Sequence, residues 1–404
     1  MTRTDLTAAT PTAAAHAAMA ADPDWRVAAG RALSTFAGRQ LDVAVVFASS
    51  QYRGEHESII DYAWRALGAP LTIGATGIGV VSMDTEVERT PAVAVLGLTL
   101  PGATLSAVRV TAGMAAAGGD GEAWRRRLGV LGNEVRGWLT FANPFRFDTT
   151  ALIDGLAEAY PGTPVVGGIA SPDPVGRESA VFLNGEAFAE GAVALAIGGP
   201  YDLVPMVSQG CDPIGETWTI TGVQENWIET ISNRPAVSVL IETLNTVPEE
   251  LRIRIQRNLA VGLAANEYRH EFRRGDFIIR GLVGIDQASG SIAIGATPRI
   301  GQTIQFQVRD AAAADVDLDS MLGHVHTRLD GRAPLAGVLC TCNGRGVDLF
   351  GSPSHDARAI QRKLGQAREL PMTGLFCAGE IGPIGGRPLL HGFTASLGLI
   401  VPRD

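Results

Sequence analysis

The sequence predicts an α/β protein of mixed sheets, assembled from a strand–helix–strand–strand unit used three times and divided into two domains. Three observations carry this. Apolar, β-branched runs recur, each followed by helical spacing, a second strand, a Gly-rich turn and a closing strand. The composition, 46% hydrophobic and 19% charged over 404 residues, gives a generous core and, at roughly 150 residues per domain, two or three domains. With 49 Gly and 22 Pro the chain turns often without being of low complexity.

The first 24 residues are Ala/Thr-rich, contain Asp5 and lack the leucine-rich stretch of a signal peptide, so they read as a flexible or weakly helical tail. The first unit follows. Leu41–Ala48 is a strand ending in Ser49-Ser50; Ile59, Ile60, Ala63, Trp64 and Leu67 share a helix face closed by Gly68; Leu71–Gly77 and Ala92–Leu98 are strands. The uncharged stretch Thr90–Val108 is broken by Pro91, Gly97, Pro101 and Gly102, which suits strand–turn–strand rather than a membrane span of ~20 apolar residues. In the second unit Trp138–Ala142 leads into Asn143-Pro144, a helix covers Thr149–Ala159, Val165-Val166 runs into Gly167–Ser171, and Ala192–Ile197 closes it. The third has Gly337–Cys342 leading into Asn343–Gly346, a helix opened by Ser352-Pro353 and ending at Leu364-Gly365, Met372–Cys377 before Ala378-Gly379-Glu380, and Ala395–Val401. Crossover helices make the strands they join parallel, with helices on one sheet face. Between the second and third units, Ile278–Ile285 and Ser291–Ala296 form a hairpin, Thr303–Val308 is a further strand and Glu249–Arg257 a charged helix. Asn258–Asn266 is too rich in Gly and Ala to assign.

Charge and residue choice exclude several functions. A formal charge of −9 gives no basis for a nucleic-acid partner, and Arg125-Arg126-Arg127 reads as a solvated helix face. Lys363 is the lone lysine and sits in no P-loop; a Schiff-base enzyme would have to use it. The shortage fits the coding bias of a G+C-rich genome. Four cysteines in 404 residues point to a reducing, cytoplasmic setting, and no Cys-x-x-Cys-His attaches a c-type haem. Cys340 and Cys342 share a strand face that Cys377 can neighbour; they read as small buried hydrophobes, with no metal site assigned. His324 and His326 point apart on a helix, so one metal cannot easily take both. Gly74–Gly79 departs from the dinucleotide fingerprint, and Thr394–Gly398 lacks the first glycine of a nucleophile elbow. No catalytic residue is assigned.

The motifs of the third unit carry a family resemblance. Cys342-Asn343-Gly344-Arg345-Gly346, Leu349-Phe350-Gly351, Phe376–Pro383 and Leu390–Ser396 are similar to the C-terminal FIST domain. Asn143-Pro144-Phe145, Val166–Ser171 and Ser208–Gly215 resemble the N-terminal one. The resemblance divides the chain into a tail (1–24), a FIST N-terminal-like domain (25–232) and a FIST C-terminal-like domain (233–404). It implies an intracellular signal-transduction module that binds a small ligand, such as an amino acid or related carboxylate, and passes the signal to a partner protein. Some bacterial members are described as haem-binding nitric-oxide sensors, so haem enters as an alternative cofactor through His391. An enzyme acting on a small acidic substrate is a further alternative, with Glu380 as acid–base group and Arg345 holding the substrate.

Ligands of such sheets sit where strand carboxyl ends, loops and helix N-termini converge. That places Asn143, Gly168, Asn343 and Gly379 at the expected ligand site, and the resemblance adds Arg345, Glu380 and His391, the polar residues of the family-like motifs. Arg345 would take a carboxylate and Glu380 an ammonium, unless the two pair with each other. The glycines allow close approach of a ligand or merely serve tight turns.

Overall fold

The computed structural model describes residues 12–248, 252, 255, 258–269, 271–366 and 368–403. Among these the strands form four sheets, three of six strands and one of seven. Each six-stranded sheet is built on one repeated unit. In the first, Val43–Ser49 and Leu71–Gly77 run parallel across the helix His56–Leu67, with Ala92–Thr99 antiparallel on the other side. Val135–Ala142, Val165–Ile169 and Ala192–Gly198 repeat this around the helix Thr149–Ala159. Ala336–Cys342, Met372–Cys377 and Thr394–Pro402 do so around His355–Leu364. The strands are apolar runs because both sheet faces are covered. The helices form because one face is apolar and the ends are capped: Gly68 closes the first in the left-handed conformation and the Asp148 carboxylate accepts from Ala151 N–H at the start of the second. The third helix begins at His355, later than Ser352-Pro353 suggests, because Ser354 is left-handed (φ 63°), with its hydroxyl accepting the backbone N–H of Glu86.

Each sheet gains an edge strand that precedes its unit: Ala14–Ala21, Leu105–Val110 and Tyr201–Gln209. The first of these corrects the tail reading for residues 14–21, whose eight residues pair in register with Ala92–Thr99. Each sheet is completed by a hairpin from a different unit. Gly79–Ser82 and Thr85–Glu88 join Met372–Cys377 of the third sheet. Val181–Leu183 and Glu186–Phe188 join Leu71–Gly77 of the first. Gly379–Ile384 and Arg387–His391 join Val165–Ile169 of the second. The exchange closes a ring of three sheets, and it carries strands across the boundary expected near residue 232. Gly77 marks one crossing: a Cβ there would lie 2.6 Å from Gly79 O and 2.9 Å from Phe376 O, so only glycine fits.

The inner faces share one apolar cluster that includes Phe47, Phe141 and Cys340, with Phe47 edge-on to Phe141 at 5.1 Å. Helices cover the outer faces, the last pair being Ala311–Leu329 and His355–Leu364. The result is a three-sided prism. Strands between residues 211 and 309, inserted between the third sheet's edge strand and the helix Ala311–Leu329, form the seven-stranded sheet, which includes Leu259–Ala264 from the unassigned stretch and the expected hairpin, here Phe277–Asp286 with Ser291–Ile294. One face of this insert packs on the helix Ala236–Asn245, and the other carries Cys211, Phe277 and Ile279 against Phe393 of the prism. The charged helix read at 249–257 lies outside the described residues apart from Arg252 and Ile255. Among the described residues no helix is long and apolar enough to cross a membrane.

Candidate functional site

The residues singled out in the third unit meet in a buried polar cluster. Arg345, at a turn after Ala336–Cys342, is fully buried and forms a fork with Asp356: Nε to Oδ2 at 2.6 Å and Nη2 to Oδ1 at 2.9 Å. Its ion-pair partner is therefore Asp356 and not Glu380. Thr341 Oγ1 donates to the same carboxylate at 3.1 Å, and His355 Nδ1 lies 3.1 Å away. Burial alone would raise the Asp356 pKa, yet the Arg345 charge and these hydrogen bonds hold it well below the usual carboxylate range.

Glu380 and His391 face each other across the hairpin Gly379–Ile384/Arg387–His391, and Glu380 opposes Gly168 on its other side. Glu380 accepts from Thr394 N–H (3.1 Å), Thr394 Oγ1 (2.8 Å) and the Cys377 thiol (3.4 Å); burial nevertheless pushes its pKa up to about 7. Burial likewise pushes the Cys342 thiol up to about 12, which makes it a poor nucleophile. His391 Nε2 lies 2.9 Å from Gly382 O, and burial lowers its pKa to about 4, so the ring is neutral with its hydrogen on Nε2.

The remaining expected residues work within the fold. Asn343 Oδ1 accepts from the Ser171 hydroxyl at 2.9 Å, tying the second unit to the third. Gly168 lets the strands approach, since a Cβ would meet Cys377 Sγ at 3.0 Å; Gly379 is packed between Leu390 and Ile169. Asn143 sits apart from the cluster and closes its own turn, donating to Ser179 O (3.0 Å) and accepting from Phe145 N–H (3.0 Å). Six of the seven residues are thus brought together, and their polar groups are engaged mainly within the protein. His391 does not fit a haem: the hydrogen bond to Gly382 occupies Nε2, and Nδ1 is buried without a hydrogen-bond partner among the described residues. Among the described residues, the one ionisable group within hydrogen-bond reach of Glu380 is likewise the Cys377 thiol, held protonated by burial.

A large opening lies beside this cluster. A cleft of about 890 Å³ separates the strand Tyr201–Gln209 and the helix Ala311–Leu329 of the prism from Arg269 and Arg274–Asp276 of the insert. Arg136, Arg269, Arg274, Arg328 and Arg332 line it, against Asp202, Asp276 and Asp317. Its lining residues thus sum to a net charge of +2 in a chain of −9. Arg332 pairs with Asp202 at 3.0 Å, Arg269 with Asp276 at 3.1 Å, and Arg274 with Asp212. Arg136 and Arg328 have no carboxylate partner among the described residues; Arg328 Nη1 donates to Pro205 O at 3.1 Å. One helix supplies much of a wall, because Asp317, Met321, His324, Val325 and Arg328 share a face at helical spacing. His326, two positions from His324, lines a separate cavity of about 430 Å³. Asp317 forms part of the cleft's floor, accepting from Ser208 Oγ (2.8 Å) and Gln209 N–H (2.7 Å). Burial raises its pKa against those hydrogen bonds and the charges of Arg274 and Arg345. The cleft and the buried cluster are neighbours through this residue.

The architecture is that of a two-domain α/β protein with three exchanged sheets and a cleft beside an inserted sheet. The model of the FIST N domain matches residues 42–234 and that of the FIST C domain residues 236–383, and the chain belongs to the FIST family. Uncharacterized protein Mb0898c of Mycobacterium bovis is 36% identical over 377 residues, covering 93% of this chain and 94% of its own. Uncharacterized protein MT0656 of Mycobacterium tuberculosis is 36% identical over 378 residues, covering 93% and 95%. Among solved structures, a cyanuric acid hydrolase from A. caulinodans aligns over 97% of this chain and all of its own, with a TM-score of 0.35 and 10% identity, too loose a likeness to carry anything across. The family is consistent with a sensory module.

Proposed function

We propose that this chain is a cytoplasmic sensory module, without catalysis, that holds a small carboxylate such as an amino acid in the arginine-lined cleft. The observation that carries the reading is the reversal of charge sign: a cleft lined by five arginines and three aspartates in an acidic protein. A concave basic site focuses the field on an anion, and about 890 Å³ lies within the range of small-ligand pockets. Asp317 at the floor suits an ammonium group. In this reading Arg345, Glu380, His391 and their neighbours set the wall behind the floor rather than touch the ligand. Arginines from both prism and insert would engage one ligand, so occupancy favours one packing of the two bodies for a downstream protein to read.

Thermal unfolding against a panel of free amino acids and dicarboxylates tests this. A ligand at a hundred times its Kd adds about 2.7 kcal/mol, and Arg274→Ala combined with Arg328→Ala should abolish the shift. A panel that leaves the midpoint unmoved, or a double variant that keeps the full shift, would overturn the assignment.

A further inference from the structure

The arginine-lined cleft continues past Arg269 and Asp276. A second cavity of about 690 Å³ opens there, and the two share Arg269, Asp276, Ile384 and Gly385. Small-molecule pockets run to roughly 1,000 Å³, and the first cavity alone nearly reaches that, so an amino acid leaves the second unused.

The second cavity has the lining of a protein contact. Tyr268 is 93% exposed and Ile300 67%, large side chains at the rim of a basic groove. Arg299 has no ion-pair partner among the described residues, and Arg387 pairs with Asp154 in an exposed, weak contact at 3.0 Å. Glu267 already accepts the N–H of Thr303 at 3.1 Å. Tyr and Arg are the side chains enriched where protein interfaces gain most of their energy. Across both cavities, seven arginines stand against Asp202, Asp276, Asp317 and Glu267.

We propose that this second cavity docks an extended acidic segment of a partner protein. Carboxylates of that segment would lie along Arg269, Arg299 and Arg387, and an apolar side chain would rest on Tyr268 and Ile300. A nucleic acid suits the groove less well, because four carboxylates interrupt the arginines and the whole chain is acidic. The proposal goes beyond the small-ligand reading, because it uses the cavity which that reading leaves empty.

Fluorescence anisotropy with the intact chain tests it, using a labelled peptide of alternating Glu and Ser with one central Leu. The controls are the same peptide with Gln for Glu, and a labelled oligothymidylate. The acidic peptide should bind, weaken as salt rises, and lose at least about tenfold in affinity in Arg299→Glu/Arg387→Glu, which is about 1.4 kcal/mol. Both side chains are exposed, so the variant should keep its fold, checked by circular dichroism, and its stabilisation by a free amino acid, which reports on the first cavity separately. Equal binding of the Gln peptide, tighter binding of the oligothymidylate, or an unweakened double variant would each overturn the proposal.

Discussion

Replacing Arg345 by Met tests the account of the buried cluster most directly. The substitution keeps an unbranched chain of similar reach and removes the charge. It deletes the two short hydrogen bonds to Asp356, at 2.6 and 2.9 Å, and leaves that carboxylate fully buried with Thr341 Oγ1 and His355 as its partners. Removing one member of a buried ion pair costs about 3–5 kcal/mol, because the remaining charge is uncompensated. At roughly 2 °C per kcal/mol for a chain of this size, the thermal midpoint should fall by about 6–10 °C. The double variant Arg345→Met/Asp356→Leu removes both charges and should recover most of that loss, since an apolar pair in such a site is often neutral. Urea denaturation of the wild type and the single and double variants gives the coupling. A single variant as stable as the wild type would refute the buried-pair account, as would a double variant no better than the single.

The pH dependence follows from Glu380. Its folded pKa, about 7, lies above the ordinary 4.5, so its stabilising contribution is complete below pH 4.5 and is lost as pH rises through about 7, by about 3 kcal/mol in all. Glu86, also raised to about 7, adds in the same direction. Thermal midpoints from pH 5 to 8 should therefore fall more steeply in the wild type than in Glu380→Gln, and parallel curves would show that Glu380 does not titrate in this window. Gly382→Ala places a Cβ 2.4 Å from Val207 Cγ2 and 2.8 Å from Ser396 Oγ. It should cost about 1–3 kcal/mol in urea denaturation, and an unchanged midpoint would show that the contact between the second and third sheets yields freely.

The repeated unit was legible because its central strands are buried on both faces and read as unbroken apolar runs, and because its helices carry one apolar face. The exchanged hairpins were not. Gly79–Ser82 and Val181–Leu183 are four and three residues long, too short for any period to show. Their destinations depend on how three sheets meet, which no local pattern encodes. Ala14–Ala21 is six-eighths alanine, with low strand preference, and is a strand because the exposed edge of Ala92–Thr99 recruits it. In the cluster the residue types were readable and the partners were not. Asp356 lies on the first turn of a helix eleven positions beyond Arg345, and nothing in the sequence ranks it above Glu380 as the partner. The arginines of the cleft come from separate segments around positions 136, 269–274 and 328–332, so only the folded chain assembles the site.

The point of insertion gives the ligand reading its mechanical sense. The insert leaves and rejoins the prism at neighbouring positions: Gly210 N–H donates to Phe393 O at 3.1 Å, and Asp310 N–H to Gly210 O at 3.2 Å. Beyond that stem, the insert meets the prism through the small apolar cluster around Cys211, Phe277, Ile279 and Phe393 and through hydrogen bonds that include Arg280 Nη2 to Leu390 O at 2.9 Å, Gln209 Nε2 to Phe277 O at 2.6 Å and Arg309 Nη1 to Gly344 O at 3.2 Å. Burial lowers the Arg280 pKa to about 10, so it stays charged at neutral pH. Two bodies joined by a narrow stem and a modest contact shift against each other more readily than either deforms. The cleft has Arg328 and Arg332 on the prism side and Arg269 and Arg274 on the insert side, so an anion between them acts on that contact itself. The interior of the prism, packed from three sheets and locked by exchanged hairpins, is the part least suited to move. On the proposed ligand reading, a signal would therefore belong to the insert's position and not to a rearrangement of Arg345, Glu380 or His391.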